Sequence, residues 1–388
     1  MNLFAKTKPW MVASLCAATS LFAQDAAPAA PAKCRPQKSF EQGHELTQGQ
    51  MMAAYNATAR IDVRGSWDFY VTGSFLYWQP IQENMELGIA TSSTTATSLV
   101  VGTTENPGNV INAKFSYKPG FKVGLGMNFD YDNWDAFAEY TWFHGTHTTS
   151  SNGPVSTGGV IYALQGHPRL PTVGLNGYTS ASNSWQLKMD FADLNLGRAY
   201  YLGTKVSLRP AIGVRGAWIR QNSTYSYTND GTLSQFITTG LPGSLASTAT
   251  SMSWGVGPSI ALDSNWMFGY GLRTFGKAEA DLLYTRYNLS RLDTFSTLAG
   301  VLSNQVNVNQ HHVDYLRPHM NLEMGLGWGS YFDNNNWHID LAASYGFQVF
   351  WNQNMNRKFV DDIQVATSYV PNGDLYVQGL TATVRLDF

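Results

Sequence analysis

Leu380-Thr381-Ala382-Thr383-Val384-Arg385-Leu386-Asp387-Phe388 alternates apolar and polar residues and stops on a phenylalanine. A strand sends successive side chains to opposite faces, so Ala382, Val384, Leu386 and Phe388 share one side. Thr381, Thr383, Arg385 and Asp387 share the other. Lipid outside and a polar interior would read this way in the closing strand of an outer-membrane β-barrel. A soluble sandwich can also end on such a strand, so the rest of the chain has to agree.

The opposite end reads as an export signal over residues 1–23. Lys6 and Lys8 precede an apolar stretch from Trp10 to Phe22, and Ala23 offers a small residue before a cut. No other run approaches the length of a spanning helix, so a membrane-spanning form would have to be a closed barrel. Aromatic and charged residues each make up 13% of the chain, beside 36 glycines, which suits a lipid-facing exterior and a crowded interior. Losing two lysines with the signal leaves 23 of 25 basic side chains against 27 acidic ones, no footprint for nucleic acid. Cys34 would then stand alone in residues 24–60, a periplasmic segment read as flexible and partly helical, or as a plug. Its thiol is either inert in a tail or half of an intermolecular disulfide.

Ten stretches carry period-two alternation: Ser66–Trp78, Phe115–Phe129, Trp134–Phe143, Trp185–Tyr201, Val206–Arg220, Met252–Leu262, Trp266–Ala280, Asp314–Gly329, Trp337–Trp351 and Tyr376–Phe388. Trp185–Tyr201 changes phase, with Trp185, Leu187, Met189 and Phe191 on one face and Leu194 and Leu196 on the other. A β-bulge would reconcile its halves. Connections alternate between brief ones, at 130–133, 202–205, 263–265 and 330–336, and long ones, at 79–114, 144–183, 221–251, 281–313 and 352–375. Short periplasmic turns and long external loops have this form. Tryptophans and tyrosines gather at strand ends, as interfacial girdles require. The fold expected is all-β: a transmembrane antiparallel barrel over 61–388 of about ten strands, or twelve if part of 144–183 or 281–313 pairs.

The segments FYVTGSFLYWQP (69–80), YKPGFKVGLGMNFDYDNWDAFAEYTWFHGTHT (117–148), DLNLGRAYYLGTKVSLRPAIGVRGAWIRQ (193–221) and HIDLAASYGFQVFWNQNM (338–355) resemble the pore-forming major outer-membrane proteins of legionellae and environmental chlamydiae. The more specific pieces are Pro119–Gly126 and the run around SLRPAIGVRGAWI. The resemblance implies a porin-like barrel passing small hydrophilic solutes, and suggests that Cys34 joins an envelope disulfide network. Ten strands, against roughly sixteen in general porins, imply a narrow or gated lumen.

By strand phase, the pore-lining candidates are Lys118, Lys122, Arg209, Arg215, Arg273, Arg317, Glu139 and Glu323, with Lys277, Arg385, Asp135, Asp340 and Asp387 also inward. They read either as a selective constriction or as structural charges paired across the lumen. The excess of bases hints at anion preference. His338 and Asp340 share the inward face near the short-turn end, where a dyad is structural rather than catalytic. His311 and His312 with Asp314, and His144 with His147, read as loop histidines and not as metal ligands. Gly269-Tyr270-Gly271 is placed in a strand, which removes a dinucleotide reading.

The function expected is a passive diffusion pore in the outer membrane for small hydrophilic solutes or ions, with no enzyme activity, cofactor or metal. A closed structural or adhesive barrel contacting a host or envelope partner is the alternative, and a barrel hydrolase the third reading. Expected partners are outer-membrane lipid, solutes, a disulfide partner through Cys34, a second copy in a homo-oligomer, and the barrel-assembly machinery. The last would recognise the terminal strand through Phe388, Leu386 and Val384.

Overall fold

Alternating residues along the chain form ten long strands: β1 (Phe69–Gln82), β2 (Lys118–Asn128), β3 (Trp134–Asn152), β4 (Ser180–Arg198), β5 (Val206–Thr228), β6 (Pro242–Gly269), β7 (Leu272–Thr297), β8 (Leu302–Phe332), β9 (Trp337–Asn354) and β10 (Gly373–Asp387). The computed structural model describes residues 57–64, 68–91, 108–129, 132–153, 159–167, 177–229, 242–297, 302–359 and 367–388. The expected export signal, Cys34, Trp67 and most of the 24–60 segment lie outside these residues.

Each strand pairs antiparallel with its sequence neighbours, and β1 pairs with β10 to close the ring. Closure leaves no exposed sheet edge in lipid. The stagger can be walked through direct partners: Tyr70, Gly126, Phe137, Asn195, Gly213, Ser259, Asp281, His319, Phe350, Leu375 and back to β1 at Gln82. Gln82 lies twelve residues beyond Tyr70. At about 3.3 Å per residue and about 4.8 Å between strands, that shear sets a tilt of about 40° and a backbone diameter of about 20 Å.

The short-turn half presents lipid-facing apolar side chains, among them Val71, Phe75, Val123, Leu125, Ile212, Val214, Ile260, Leu326 and Val384, all well exposed. Trp218 on β5 lies opposite Trp254 on β6, where this apolar band ends. Beyond it the exterior of β5 turns to Arg220, Asn222, Thr224 and Ser226, while the strand continues.

That continuation corrects the expected loops. Ser- and Thr-rich segments read as connections extend β5, β6, β7 and β8 well past the apolar band, so only four residues, 298–301, separate β7 from β8. Strand pairing there needs no lipid, only alternate burial, and Tyr225, Tyr227, Leu245 and Phe295 supply it on the inward face. The 144–183 segment adds no barrel strand either. Its pieces 161–163 and 177–178 join 88–91 and 108–111 in a separate four-stranded sheet. That sheet packs Leu87, Ile161 and Tyr178 into the same buried cluster as Tyr227 and Leu245. The Tyr227 hydroxyl donates to the Leu87 carbonyl at 2.5 Å.

Two turn assignments also change. Asp263-Ser264-Asn265 stays within β6, because Asp263 and Asn265 face inward to arginines while Trp266 and Phe268 continue the lipid face. The reversal falls at Gly269-Tyr270-Gly271, where φ is 103°, 53° and 79°. Three successive left-handed residues explain why glycines flank the tyrosine. In β4 no bulge occurs: pairing with β3 runs unbroken from Asn152↔Ser180 to Trp134↔Arg198. Both faces of β4 are apolar, at different heights. Trp185, Leu187, Met189 and Phe191 enter the lumen, and Leu194 and Leu196 face lipid.

Residues 57–64 lie across the short-turn mouth. The Ala59 amide donates to Ala199 O (3.1 Å), Tyr201 N to Ala57 O (2.8 Å), and Arg64 N to Asn335 O in the β8–β9 turn (2.8 Å). Eight extended residues reach roughly 25 Å, enough for this barrel's mouth.

Candidate functional site in the lumen

Inward positions converge on an interior of buried charged and polar side chains, too polar to be a simple core. Nearest the short-turn end, Arg385 holds Asp387 (Nη2 to Oδ1, 2.5 Å), which also accepts from or faces His338 Nδ1 at 3.0 Å. The Arg385 guanidinium lies 3.7 Å over the Tyr70 ring. Arg273 bridges β7 to Asp340 on β9 (Nη2 to Oδ1, 2.7 Å) and to Asn265 on β6 (3.0 Å). His338 and Asp340 thus share the expected inward face but pair with different partners. Arg209 spans Asp135 on β3 (2.6 Å) and Asp263 on β6 (2.9 Å).

Higher in the lumen, Lys122 Nζ meets Glu139 Oε1 at 3.0 Å. Lys277 lies directly across from Glu323, whose carboxylate also accepts from the Ser344 hydroxyl. Arg215 is the hub. Its Nε donates to Asp193 Oδ1 on β4 (2.5 Å), Nη2 to Glu279 Oε2 (2.9 Å) and Nη1 to Asp281 Oδ2 (2.6 Å) on β7. Nη1 also approaches His319 Nδ1 at 2.9 Å. His319 Nδ1 also lies 2.5 Å from Asp281 Oδ2, so guanidinium, imidazole and carboxylate meet at one point. Reaching β7 from β5 requires passing β6, where Gly257 stands directly opposite Arg215. A Cβ at Gly257 would strike the Leu282 carbonyl. Arg317 sits toward the long-loop end, donating to the Tyr287 hydroxyl at 3.3 Å with its guanidinium 4.5 Å from the Tyr315 ring centroid.

The charged layer abuts an apolar one. Leu76, Trp78, Phe143, Trp185, Leu187, Met189, Phe191, Phe350 and Leu375 are buried in one cluster inside the wall. Phe350 stacks on His319 at 4.1 Å and on Phe191 at 5.5 Å, so the two layers touch. The apolar side chains of this cluster form a belt inside the barrel.

All eight expected lining residues, Lys118, Lys122, Arg209, Arg215, Arg273, Arg317, Glu139 and Glu323, occupy inward positions by register. The expected excess of bases does not hold. Asp193, Asp263, Glu279, Asp281 and Asp293 also point inward and balance them. Asp263 falls in the expected 263–265 turn and Asp281 opens the expected 281–313 loop, but both lie in strands. The alternation Lys277-x-Glu279-x-Asp281 was the available signal. His144 faces outward and contacts Asp190 (3.2 Å), while His147 receives the Ser116 amide at Nδ1 (3.1 Å). Burial, and then Lys118, push the His147 pKa down to about 4. His311 and His312 sit at an irregularity in β8, where the His312 amide donates to Asn288 Oδ1. Among the described residues, no group of three His, Cys, Asp or Glu side chains is placed to hold a metal ion.

A closed ten-stranded barrel with a charged lumen is the setting for the comparison with known families. The family described as the Legionella pneumophila major outer membrane protein precursor matches residues 62–388. The chain belongs to this family. The match takes in all ten strands of this major outer-membrane protein relative and the last residues of the segment across its mouth. No sequence among the curated proteins matches it. Solved structures similar to it include the outer membrane protease OmpT from Escherichia coli, at 12% identity and TM-score 0.38, covering 86% of this chain and 99% of that one. A Pseudomonas aeruginosa FadL homologue is 7% identical, with TM-score 0.26 and coverage of 82% and 89%. The Pseudomonas putida toluene transporter TodX is 8% identical, with TM-score 0.28 and the same coverage.

Proposed function

We propose that this protein is a narrow, gated diffusion pore of the outer membrane for small hydrophilic solutes or ions. The observation that carries this reading is the column of inward charges from Arg385 and Asp387 through Arg209, Lys122 and Arg215 to Arg317. Buried ion pairs are seldom more stabilising than apolar packing of the same volume, so a barrel serving only as a wall has little reason to keep them. Ionisable side chains at membrane depth usually mark a path for ions or solutes. The apolar belt around Trp185 and Leu187 is the gate in this reading, and the charges are the filter.

One observation favours a closed structural barrel: the same belt fills the lumen with fully buried side chains. Hydrolysis fits less well, because the His319–Asp281 pair is sealed inside and His144–Asp190 faces outward near the aromatic girdle. Planar-bilayer recording of the refolded chain, beside Trp185→Ala and Leu187→Ala, tests the proposal. Discrete steps that grow in conductance or open time in the belt variants support a gated pore. Silence from all three, each heat-modifiable on gels, supports the closed barrel.

A further inference from the structure

The exterior of β3, β4 and β5 carries a basic cluster that the lumen does not use. Lys188 on β4 lies directly opposite His144 on one side and Arg220 on the other. All three face outward, one step beyond Trp142 and Trp218, which mark the edge of the apolar band. The nearest acid is already engaged: Asp190 accepts from the Tyr140 hydroxyl at 3.0 Å and contacts His144 Nε2 at 3.2 Å. Arg286, the basic residue at the same height on β7, is neutralised by Asp314 at 2.7 Å. Lys188 and Arg220 have no hydrogen-bond or ion-pair partner among the described residues. The next exterior row, Thr146, Gln186 and Asn222, supplies no acid.

Like charges placed directly across a strand pair repel, with Cβ atoms about 4.5–5.5 Å apart. The arrangement becomes favourable once an anion sits between them. We propose that Lys188 and Arg220 bind the phosphate of an anionic lipid in the outer leaflet, with Trp218 against its headgroup region. Arginine offers a planar fork to phosphate oxygens and lysine a mobile point charge, a suitable pair for one phosphate. Below them the same two strands present Leu194, Leu196, Ile212 and Val214 to lipid, a surface along which the acyl chains of that molecule would lie. A free phosphate ion would use the two cations and nothing else. The site stands apart from the lumen and does not depend on the pore reading.

Native mass spectrometry of the full-length refolded protein tests this, with bis-phosphorylated lipid A as probe and the dephosphorylated lipid as comparison. The wild type should retain the phosphorylated lipid preferentially, and inorganic phosphate should not displace it. Lys188→Gln/Arg220→Gln should lower retention by about tenfold or more, the scale of losing two basic contacts at a membrane surface. Lys188→Arg/Arg220→Lys should keep it, as should Lys205→Gln in the β4–β5 connection. Equal retention of both lipids by the wild type overturns the proposal without any variant. Displacement by inorganic phosphate, or undiminished retention by the folded Gln double variant, overturns it as well.

Discussion

Arg215 on β5 reaches over β6 to Asp281 on β7, placing Nη1 2.6 Å from Oδ2. With Asp193 and Glu279 it ties three strands, β4, β5 and β7, through a single side chain that passes over β6. The Asp281 side chain is 0% exposed and Asp193 5%, so neither can turn to water for solvation.

Arg215→Met should therefore destabilise the barrel by about 3–5 kcal/mol, because it leaves buried carboxylates without a counter-charge. Urea unfolding in lipid vesicles, followed by tryptophan fluorescence, measures it. Adding Asp281→Asn should recover part of the loss. A double variant no better than the single one would show that the pair is not coupled.

Truncating the apolar belt separates stability from gating. Trp185→Ala removes a fully buried indole that packs against Phe115 at 5.3 Å and His147 at 5.4 Å. The expected cost is about 3–5 kcal/mol, from lost burial and the cavity left behind. A denaturation midpoint within error of wild type would show that the belt is loosely packed.

His147 makes the long-loop half sensitive to acid. Its folded pKa of about 4 lies below the ordinary 6.5, so the unfolded chain binds the proton more readily between those values. Stability from the neutral ring is full above pH about 6.5 and is lost as pH falls toward about 4. Hydrogen exchange at the Ser116 amide, which donates to Nδ1, should accelerate across that window. His147→Gln should flatten the profile, and an unchanged profile would place the acid response elsewhere.

The β6–β7 reversal depends on backbone conformation. Gly271 has φ of 79°, and a Cβ there would strike the Gly329 carbonyl. Gly271→Ala should cost about 1–3 kcal/mol and slow refolding into vesicles, whereas Tyr270→Asn should be tolerated. A neutral Gly271→Ala would mean that the turn can adopt another form.

The ten-strand ring was legible in residues such as Phe121, Val123 and Leu125 alternating with Lys122, Gly124 and Gly126, because a lipid exterior enforces period two. Alternation alone also places Lys122, Arg209 and Arg273 inward. It misled where both faces carried the same character. The two apolar faces of Trp185–Tyr201 suggest a bulge that is not there, because an apolar side chain gives the same sequence signal toward lipid as toward a buried lumen. Asp263-Ser264-Asn265 read as a turn because polar residues in a strand interior are ordinary only when opposite arginines satisfy them, and Arg209 lies more than fifty residues away.

The sequence by itself determined the strand order, the ring and the inward side of charges such as Lys122, Arg209 and Arg273, since these follow from local period and short connections. Tertiary structure alone decided the shear of twelve, the Arg215 hub and the filled lumen. Those depend on which residues of distant strands come level around the ring, and level is fixed by register across all ten strands together.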